Sequence, residues 1–378
     1  MKISLLPASK AFIRNKDILI SLFNFDWKSE WLNFFSSTDV LAFYNARTAL
    51  YFLLRKTKST NKNEVIISAY TCTTVAESVQ AAGYKVVYCD IDFDSGIMST
   101  NFLSKLINSR THSIITANTY GAIDNVVDIQ RMVKGKDIYL FEDITWAIGG
   151  FFSNKPIGSF GDAAFVSLGL GKNITVGSGG ILLINSNKIK TSIKKGKKII
   201  SAPLLSPLSF VKTLFYNVLT NKYVYKILNV MQLTPSDAVE SIDKDKLLSC
   251  HEMSRYRKKL SSNTLASYIK IKVKKKPILH DKLLSKRSIF INQIPTYSCG
   301  FNYSSRLPLL LKDNVNQEDF IEHMYNNGFQ VTKGFYHNKK NLNPILHKNA
   351  IKYCDTMVTI PSHYDMKKID LNNMVGLM

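Results

Sequence analysis

The sequence predicts an α/β protein whose larger part is a mostly parallel sheet covered by helices on both faces. Between residues 48 and 185, short apolar runs of strand length alternate with amphipathic segments of helix length. This alternation is typical of βαβ units, which place parallel strands side by side. Two of the strand runs, Ile138–Phe141 and Ile181–Ile184, are apolar throughout, as expected for strands that are buried on both faces of a sheet.

The elements of this part follow one another closely. The predicted strands, in chain order, are Val65–Ser68, Val86–Asp90, Ser113–Ala117, Ile138–Glu142, Ala163–Ser167 and Gly180–Ile184. The predicted helices are Thr48–Lys56, Thr74–Ala82, Asn101–Ser109 and Val126–Val133. Ligand-binding residues of such a sheet are expected at the carboxyl ends of the strands, where the loops meet.

The chain has 378 residues, which is long enough for two domains. We expect an N-terminal arm over residues 1–40, a large domain over 41–235 and a small α+β domain over 236–378. The elements predicted for the small domain are a polar helical stretch to about Ser267, a strand at Arg306–Leu311, a helix at Gln317–Asn327 and a strand at Gly328–Thr332.

The segment from Pro203 to Leu233 is apolar and aromatic, with interspersed lysines. Two interpretations are open: an amphipathic helix pair between the domains, or a contact with a membrane surface. The whole chain is basic as well, with a formal net charge of +22. The charge concentrates in Lys188–Lys198 and Lys270–Lys276, which either attract anionic partners or form solvated faces. No helix-turn-helix, zinc-finger or RNP-type pattern accompanies them, so we do not expect nucleic-acid binding.

The cysteines and the N-terminus indicate the compartment. The cysteines are odd in number, scattered and without a Cys-x-x-Cys pair: Cys72, Cys89, Cys250, Cys299 and Cys354. This usage favours a reducing compartment and argues against a disulfide framework or a metal site. The N-terminus lacks the apolar core of a signal peptide, and no apolar run is long enough to cross a membrane. We therefore expect a cytoplasmic protein.

Three residues in a fixed order predict a cofactor site. Asp143 follows one apolar strand, Ser167 ends the next, and Lys172 comes five residues later in a glycine-rich turn. Pyridoxal 5'-phosphate needs a carboxylate for its ring nitrogen, a hydroxyl for its phosphate and an amine for its aldehyde. We predict that Asp143, Ser167 and Lys172 supply these groups in that order, with Lys172 as the catalytic residue that binds the cofactor covalently.

The start of the first long helix predicts a second contact with the phosphate. Asn45-Ala-Arg47-Thr48 leads into this helix, where backbone N–H groups, including that of Arg47, and the Thr48 hydroxyl would face an anion. Thr48 could equally serve only to cap the helix. Glu142 points to the opposite face of its strand from Asp143 and is interpreted as structural.

These motifs resemble the DegT–StrS family of nucleotide-sugar aminotransferases, which are pyridoxal phosphate enzymes of fold type I. The resemblance extends over about two-thirds of the chain and is carried by residues 45–50, 68–76, 82–92, 118–121, 142–143, 158–162, 167–173 and 358–365. It implies a large domain with a seven-stranded sheet and a homodimer with active sites at the subunit interface. It also implies an aminotransferase that moves an amino group from L-glutamate to a nucleotide-linked keto sugar, in amino-sugar biosynthesis for surface polysaccharide or lipopolysaccharide. A sister branch, which removes a sugar hydroxyl, has histidine in place of the lysine, and Lys172 argues against that branch.

The chain departs from the family pattern at positions next to the predicted cofactor. Cys72 stands where the family often has a stacking aromatic ring, and Trp146 stands where a glutamine usually follows Asp143; both are predicted to contact the cofactor. Ser178 replaces an acidic residue, and the usual Asn-Tyr-Arg segment is missing. The identity of the sugar substrate therefore stays open. So do two alternatives: another pyridoxal phosphate reaction on a non-sugar substrate, and a non-catalytic regulatory or surface-binding relative.

Overall fold

A computed structural model of the chain describes residues 3–23, 26–194, 207–231, 250–272, 291–293, 305–362 and 366–378. Its helices are α1 (Asn15–Ile20), α2 (Ser29–Phe35), α3 (Ala46–Lys56), α4 (Thr73–Ala81), α5 (Thr100–Leu106), α6 (Val126–Val133), α7 (Asn187–Lys194), α8 (Pro207–Leu219), α9 (Lys222–Val230), α10 (Arg255–Lys272), α11 (Gln317–Asn326), α12 (Lys348–Thr356) and α13 (Lys368–Gly376). Its strands are β1 (Asp39–Phe43), β2 (Glu64–Ser68), β3 (Lys85–Cys89), β4 (Thr111–Thr116), β5 (Tyr139–Asp143), β6 (Phe151–Phe152), β7 (Lys155–Pro156), β8 (Ala163–Ser167), β9 (Gly180–Ile184), β10 (Ile291–Gln293), β11 (Arg306–Leu311), β12 (Thr332–Lys333) and β13 (Met357–Pro361).

The larger sheet has seven strands in the order β1-β9-β8-β5-β4-β2-β3. Strands β3, β2, β4, β5 and β8 run parallel to one another, and β9 runs antiparallel to both β8 and β1. This architecture confirms the prediction of an α/β fold with a mostly parallel sheet. Asp143 and Ser167 are the last residues of the adjacent strands β5 and β8, so the topology brings them to one edge.

The strands of this sheet are buried on both faces. Every residue of β2, β4 and β9 is buried. One core, which includes Phe12, Trp31 and Phe35, covers one face; a second, which includes Leu50, Leu53 and other residues of α3 and α4, covers the other. Each fully buried large apolar side chain contributes about 1.5–3 kcal/mol, so the strand ends that carry the site residues are held by a well-packed frame.

The predicted elements of the large sheet agree with the structure to within a few residues, with two exceptions. Strand β1 was not predicted, because its pairing with β9 joins segments about 140 residues apart and leaves no local pattern. Helix α5 ends at Leu106 rather than at Ser109. There the backbone leaves the helical region at Ile107, and the Asn108 side chain donates to the Leu106 carbonyl oxygen and to Glu64.

The second sheet is antiparallel, with four strands in the order β10-β11-β13-β12. The predicted strand Arg306–Leu311 is present as β11. The predicted strand Gly328–Thr332 is mostly wrong, since β12 holds only Thr332 and Lys333. Phe329 instead pairs with Leu6 in an isolated parallel bridge, so the N-terminal segment takes the place of a longer strand.

The N-terminal segment and α10 link the parts of the chain. Phe12 pairs with Ile174 beyond the predicted lysine site, and β1 joins the large sheet. Helix α10 packs against α1 and α2, and its Leu260 belongs to the same core as Trp31. The division into an arm, a large domain and a small domain stays a prediction.

Some predicted features lie outside the described residues. These are residues 195–198 of the first lysine-rich stretch, residues 203–206 and 232–233 of the aromatic segment, residues 273–276, Cys299, and residues 363–365. Within the described part of the chain, Cys72, Cys89, Cys250 and Cys354 are not in disulfide bonds. Among the helices described, none is long and apolar enough to cross a membrane.

Candidate active site

A cavity of about 850 Å³ opens where β5 and β8 end. Six of the seven predicted site residues line it: Arg47, Cys72, Asp143, Trp146, Ser167 and Lys172. The seventh, Thr48, does not. The amine of Lys172, the carboxylate of Asp143 and the hydroxyl of Ser167, which the sequence predicted to act together, therefore line the same cavity.

Asp143 brings a buried carboxyl group to this wall. Its side chain is anchored by the backbone N–H of Thr145, which donates to Oδ1 at 3.0 Å, and Asn118 Nδ2 donates to its carbonyl oxygen at 3.2 Å. Burial raises the pKa of this carboxyl from 3.8 to about 6, although the Thr145 hydrogen bonds and the charge of Lys172 act in the opposite direction. Ionisation of this carboxyl is therefore unfavourable. A buried carboxyl with a raised pKa beside a cavity is typical of functional sites.

Thr145 connects Asp143 to Ser167. Its hydroxyl accepts the Ser167 N–H at 3.1 Å, while its own N–H holds the carboxylate. The Ser167 oxygen accepts a hydrogen bond from the N–H of Gly169 at 3.4 Å, which leaves the hydroxyl proton available for an acceptor in the cavity. Thr145 was not among the predicted site residues, since a threonine between two strand ends carries no sequence signal of its own.

Lys172 sits in the glycine-rich turn after β8. Gly171 has φ +78°, a left-handed conformation that favours glycine, and the Lys172 N–H donates to the Gly169 carbonyl at 3.4 Å. The Lys172 Nζ lies 4.6 Å from the centroid of the Trp146 ring, a cation–π distance. The next residue, Asn173, fixes the turn because its side chain donates to the Trp146 carbonyl at 2.9 Å and accepts the Ser305 N–H at 3.0 Å.

A second cation, the Arg306 guanidinium, lies over the Trp146 ring. The Arg306 guanidinium is 5.4 Å from the ring centroid and donates to the hydroxyls of Thr332 and Ser9 at 2.9 and 3.3 Å. Arg306 is only 7% exposed, yet it lines the cavity. Its strand was predicted from the sequence, but its place at the cavity was not; the available signal was a lone arginine at the start of the otherwise apolar run Arg-Leu-Pro-Leu-Leu-Leu.

An aromatic wall continues from Trp146. The Tyr120 ring is 5.0 Å from the Trp146 ring and stacks on the Phe335 ring at 5.1 Å with an interplanar angle of 22°. Tyr120 adopts φ +49°, which is an unfavourable conformation for a side chain of this size and costs about 1–3 kcal/mol. The surrounding packing holds this strained turn beside the cavity.

The N-terminus of α3 lies at the same cavity, although Thr48 does not line it. The Asn45 Oδ1 accepts the Thr48 N–H at 2.8 Å and the Thr48 hydroxyl at 3.1 Å, so the threonine hydroxyl is taken up by helix capping. Asn45, Ala46 and Arg47 line the wall in its place. Gly180 allows this position, because a Cβ there would lie 2.3 Å from the backbone carbon of Asn45.

Helices α8 and α9 close another side of the cavity with Tyr216, Thr220, Tyr225 and Asn229. The Tyr216 hydroxyl accepts the Ala11 N–H at 2.9 Å, and the Tyr225 hydroxyl donates to Gln330 Oε1 at 2.8 Å. These residues belong to the segment interpreted as an amphipathic helix pair, and the structure shows helices there. Their place in the site was missed, because an aromatic residue on an amphipathic helix looks the same in sequence whether it packs in a core or lines a cavity.

The sequence profile of the DegT/DnrJ/EryC1/StrS aminotransferase family matches residues 25–216, just over half of the chain. A curated relative is the GDP-perosamine synthase of Vibrio cholerae, which is 26% identical over 163 residues, or 43% of this chain and 44% of the relative. The chain therefore matches less than half of the length of that relative.

Solved structures extend the similarity in fold to the whole chain. Helicobacter pylori PseC, described as an aminotransferase involved in the biosynthesis of pseudoaminic acid, superposes with a TM-score of 0.75 at 18% identity, covering 99% of this chain and 98% of that one. The E. coli GDP-4-keto-6-deoxy-D-mannose-3-dehydratase with bound hydrated PLP superposes with a TM-score of 0.74 at 16% identity, covering 100% of both chains. At these identities the similarity establishes the fold.

Proposed function

Because the chain belongs to the DegT/DnrJ/EryC1/StrS aminotransferase family, we propose that it is a pyridoxal phosphate-dependent aminotransferase. It would transfer the amino group of L-glutamate to a keto sugar linked to a nucleoside diphosphate, in amino-sugar biosynthesis for surface polysaccharide or lipopolysaccharide. The observation that supports this best is one cavity lined by Lys172, Asp143 and Ser167 together with the N-terminus of α3.

The residues of the cavity fit the cofactor chemically. A buried carboxyl whose pKa is raised to about 6 gains most from a cationic partner, and a protonated ring nitrogen is such a partner. The Ser167 hydroxyl and the positive end of α3 suit a phosphate dianion. Lys172 contributes the amine. Arg47, on the first turn of α3, adds a positive charge to the phosphate side.

When bound, pyridoxal phosphate would supply an aldehyde that reacts with amines and a ring that withdraws electrons from the amine-bearing carbon. Lys172 would hold the cofactor through Nζ until the amine of glutamate takes its place. The Lys172 Nζ, which is then free, would move the proton at the glutamate Cα as general base and acid. Asp143 would keep the proton on the ring nitrogen, and Thr145 would keep the Asp143 carboxylate aimed at it.

The same cavity suits anionic substrates. Its volume falls in the range of about 300–1,000 Å³ that is usual for small-molecule sites. Arg306 is a candidate for binding a carboxylate or phosphate, because its planar guanidinium can donate two parallel hydrogen bonds. The aromatic wall of Trp146 and Phe335 offers flat surfaces against which a sugar or a base could pack.

Three further properties belong to this proposal. The family resemblance supports a homodimer with active sites at the subunit interface, and the cysteine usage supports a cytoplasmic location. The division into an arm over residues 1–40, a large domain over 41–235 and a small domain over 236–378 is likewise proposed. Light scattering of the purified protein tests the first of these directly.

Covalent labelling tests the site assignment. Borohydride reduction of the pyridoxal phosphate-loaded protein, followed by peptide mapping, should place the pyridoxyl group on Lys172. Lys172→Ala should take up no label, and Lys155→Ala is the matched control because Lys155 is a lysine on β7 outside the cavity. A pyridoxyl group on another lysine would overturn the assignment.

A panel of nucleotide-linked keto sugars tests the substrate class. Formation of an amino sugar from glutamate supports the proposal. Turnover of an amino acid with no keto sugar accepted would favour a different pyridoxal phosphate reaction on a non-sugar substrate. Absence of a visible absorbance band with added cofactor would favour the non-catalytic, surface-binding alternative.

A further inference from the structure

A guanidinium lies behind the glycine-rich turn that precedes β9. Gly177, Ser178 and Gly179 form this turn, and all three line the cavity. Arg257, in the first turn of α10, donates from Nη1 to the Ser178 Oγ at 2.8 Å. Its Nη2 is 4.0 Å from the position that a Cβ on Gly177 would take. Arg257 therefore contacts a residue that lines the cavity, although it is not itself a lining residue.

The charge of Arg257 is poorly compensated within the described part of the chain. Burial lowers the pKa of its guanidinium, and the groups that act in the opposite direction are the phenols of Tyr44 and Tyr256, not carboxylates. Glu252, an acid five residues earlier, pairs with Lys258 at 3.0 Å. The Arg257 Nε is buried and has no hydrogen-bond acceptor among the described residues. Because a buried charge is usually paired, this cation favours an anionic group supplied by a ligand.

Ser178 connects this cation to the cavity. A serine hydroxyl has one proton to donate and two lone pairs that accept. Because the Ser178 oxygen accepts from Arg257, the hydroxyl proton is directed away from the guanidinium and is available for an acceptor in the cavity. The adjacent positive charge polarises the O–H group, which strengthens a hydrogen bond from Ser178 to an anion.

The position of the turn identifies the kind of anion. Gly180, the residue after the turn, pairs with Ser167 across β8 and β9. A Cβ on Gly180 would lie 2.4 Å from the backbone nitrogen of Ala46 at the start of α3. Ser167 and the N-terminus of α3 are the groups that the proposed function assigns to a phosphate. Ser178 and Arg257 therefore add a hydroxyl and a positive charge next to the groups that suit a phosphate.

We propose that Ser178 and Arg257 form a further phosphate-binding element of the cavity. Ser178 donates its hydroxyl proton to a phosphate oxygen, and Arg257 is a positioning residue that orients Ser178 and supplies the compensating charge. Two ligands bring a phosphate to this cavity: the cofactor, and the nucleoside diphosphate of the substrate. The choice of these two ligands rests on the proposed function, whereas the contact itself is measured by binding and needs no turnover.

Binding titrations of Ser178 variants test the proposal. Ser178→Glu places a carboxylate within reach of Arg257 and neutralises its charge, and Ser178→Gln is the matched control of the same size without a charge. The probes are pyridoxal 5'-phosphate and pyridoxal, which lacks the phosphate, both followed by absorbance in the cofactor-free protein. A third probe is UDP, followed by calorimetry with and without the cofactor. Ser178→Glu should bind pyridoxal 5'-phosphate or UDP about tenfold or more weakly than Ser178→Gln, because it loses a charge-assisted hydrogen bond. The two variants should bind pyridoxal equally.

Variants of Arg257 separate the effect of its charge from its effect on the fold. Arg257→Gln should weaken binding of the same phosphate probe by a similar factor, and Arg257→Lys should restore most of the affinity because it keeps the positive charge. The matched control is Arg255→Gln, since Arg255 is exposed on the same helix and does not line the cavity. This control should bind every probe like the wild type. Circular dichroism of each variant confirms that the fold is kept.

The pattern of losses identifies the ligand that carries the phosphate. A loss confined to pyridoxal 5'-phosphate assigns the element to the cofactor, and a loss confined to UDP assigns it to the substrate. Equal binding of both probes by Ser178→Glu and Ser178→Gln would overturn the proposal. An equal loss of pyridoxal binding would overturn it as well, because the turn would then act through its shape alone. Failure of the wild type to bind pyridoxal 5'-phosphate would contradict the proposed function, and the UDP titration would still decide whether the element binds a phosphate.

Discussion

Replacing Asp143 with asparagine should stabilise the cofactor-free protein while it removes most of the proposed activity. Burial raises the pKa of the Asp143 carboxyl from 3.8 to about 6. A tenfold change in a dissociation constant corresponds to about 1.36 kcal/mol, so ionising this buried group costs the folded state ~3 kcal/mol. Asparagine has nearly the same shape and never ionises, so the variant avoids this cost.

The pH dependence of this effect has a defined sign. The pKa of Asp143 is higher in the folded state than in the unfolded state. As the pH rises from 3.8 to about 6, the unfolded state therefore loses its proton before the folded state does, and stability falls across that interval. The gain from Asp143→Asn should be small near pH 4 and reach ~3 kcal/mol above about pH 7.

Urea unfolding of the cofactor-free proteins at the two pH values measures the difference. Asp124→Asn is the matched control, because Asp124 is also fully buried with its pKa raised by burial. Its oxygens, however, accept the backbone N–H groups of Met98 and Ala117 at 2.7 and 2.8 Å, so losing one acceptor should lower stability. Equal stability of Asp143→Asn and the wild type at neutral pH would refute the argument from burial.

The catalytic consequence is tested separately with the loaded enzyme. Asp143→Asn should keep the cofactor, because the other contacts remain, and should slow the half-reaction with glutamate by orders of magnitude, because an amide does not hold a proton on the ring nitrogen. A near-normal half-reaction would contradict the role proposed for Asp143 even if the stability result holds.

Two further predictions concern the walls of the cavity. Trp146→Ala should lower the free energy of unfolding by about 3–5 kcal/mol in urea unfolding, because it removes a buried ring that packs on Tyr120 and Lys172; Trp146→Phe should lower it by less, and equal losses would show that the ring face does not matter. Gly180→Ala should weaken cofactor binding about tenfold in an absorbance titration, because its Cβ must displace the N-terminus of α3. Gly376→Ala meets no atom within 4 Å and should bind the cofactor like the wild type.

The part of the site that local sequence determines was predictable. Asp143, Ser167 and Lys172 lie within thirty residues of one another, and the strands that carry them read as strands because they are apolar on both faces. Parallel pairing of β5 with β8 is then enough to bring the carboxyl ends of these strands together. The two uses of Thr48 could not be distinguished from the sequence, because an N-cap and an anion site begin with the same backbone geometry.

The part of the site contributed by distant segments was not predictable. Arg306 reaches the Trp146 ring from the second sheet, 160 positions later in the chain, and Tyr225 arrives from α9. The local sequence around either residue does not predict that it lines the cavity, because tertiary packing alone brings it there. The bridge between Leu6 and Phe329 is of the same kind and replaced part of a predicted strand.

In the proposed function, these distant residues would bear on substrate choice. The proposed cofactor site is formed by the ends of β5 and β8 and the start of α3, whereas Arg306, Phe335 and residues of the α8–α9 pair line the same cavity from other elements. The α8–α9 pair occupies the stretch in which the family's usual Asn-Tyr-Arg segment is missing, and it presents two tyrosines and an asparagine to the cavity instead. Under the proposed function, residues of elements other than those carrying the amine, the carboxylate and the hydroxyl would contact the sugar, so the sugar could differ from that of the relatives while the cofactor contacts are kept.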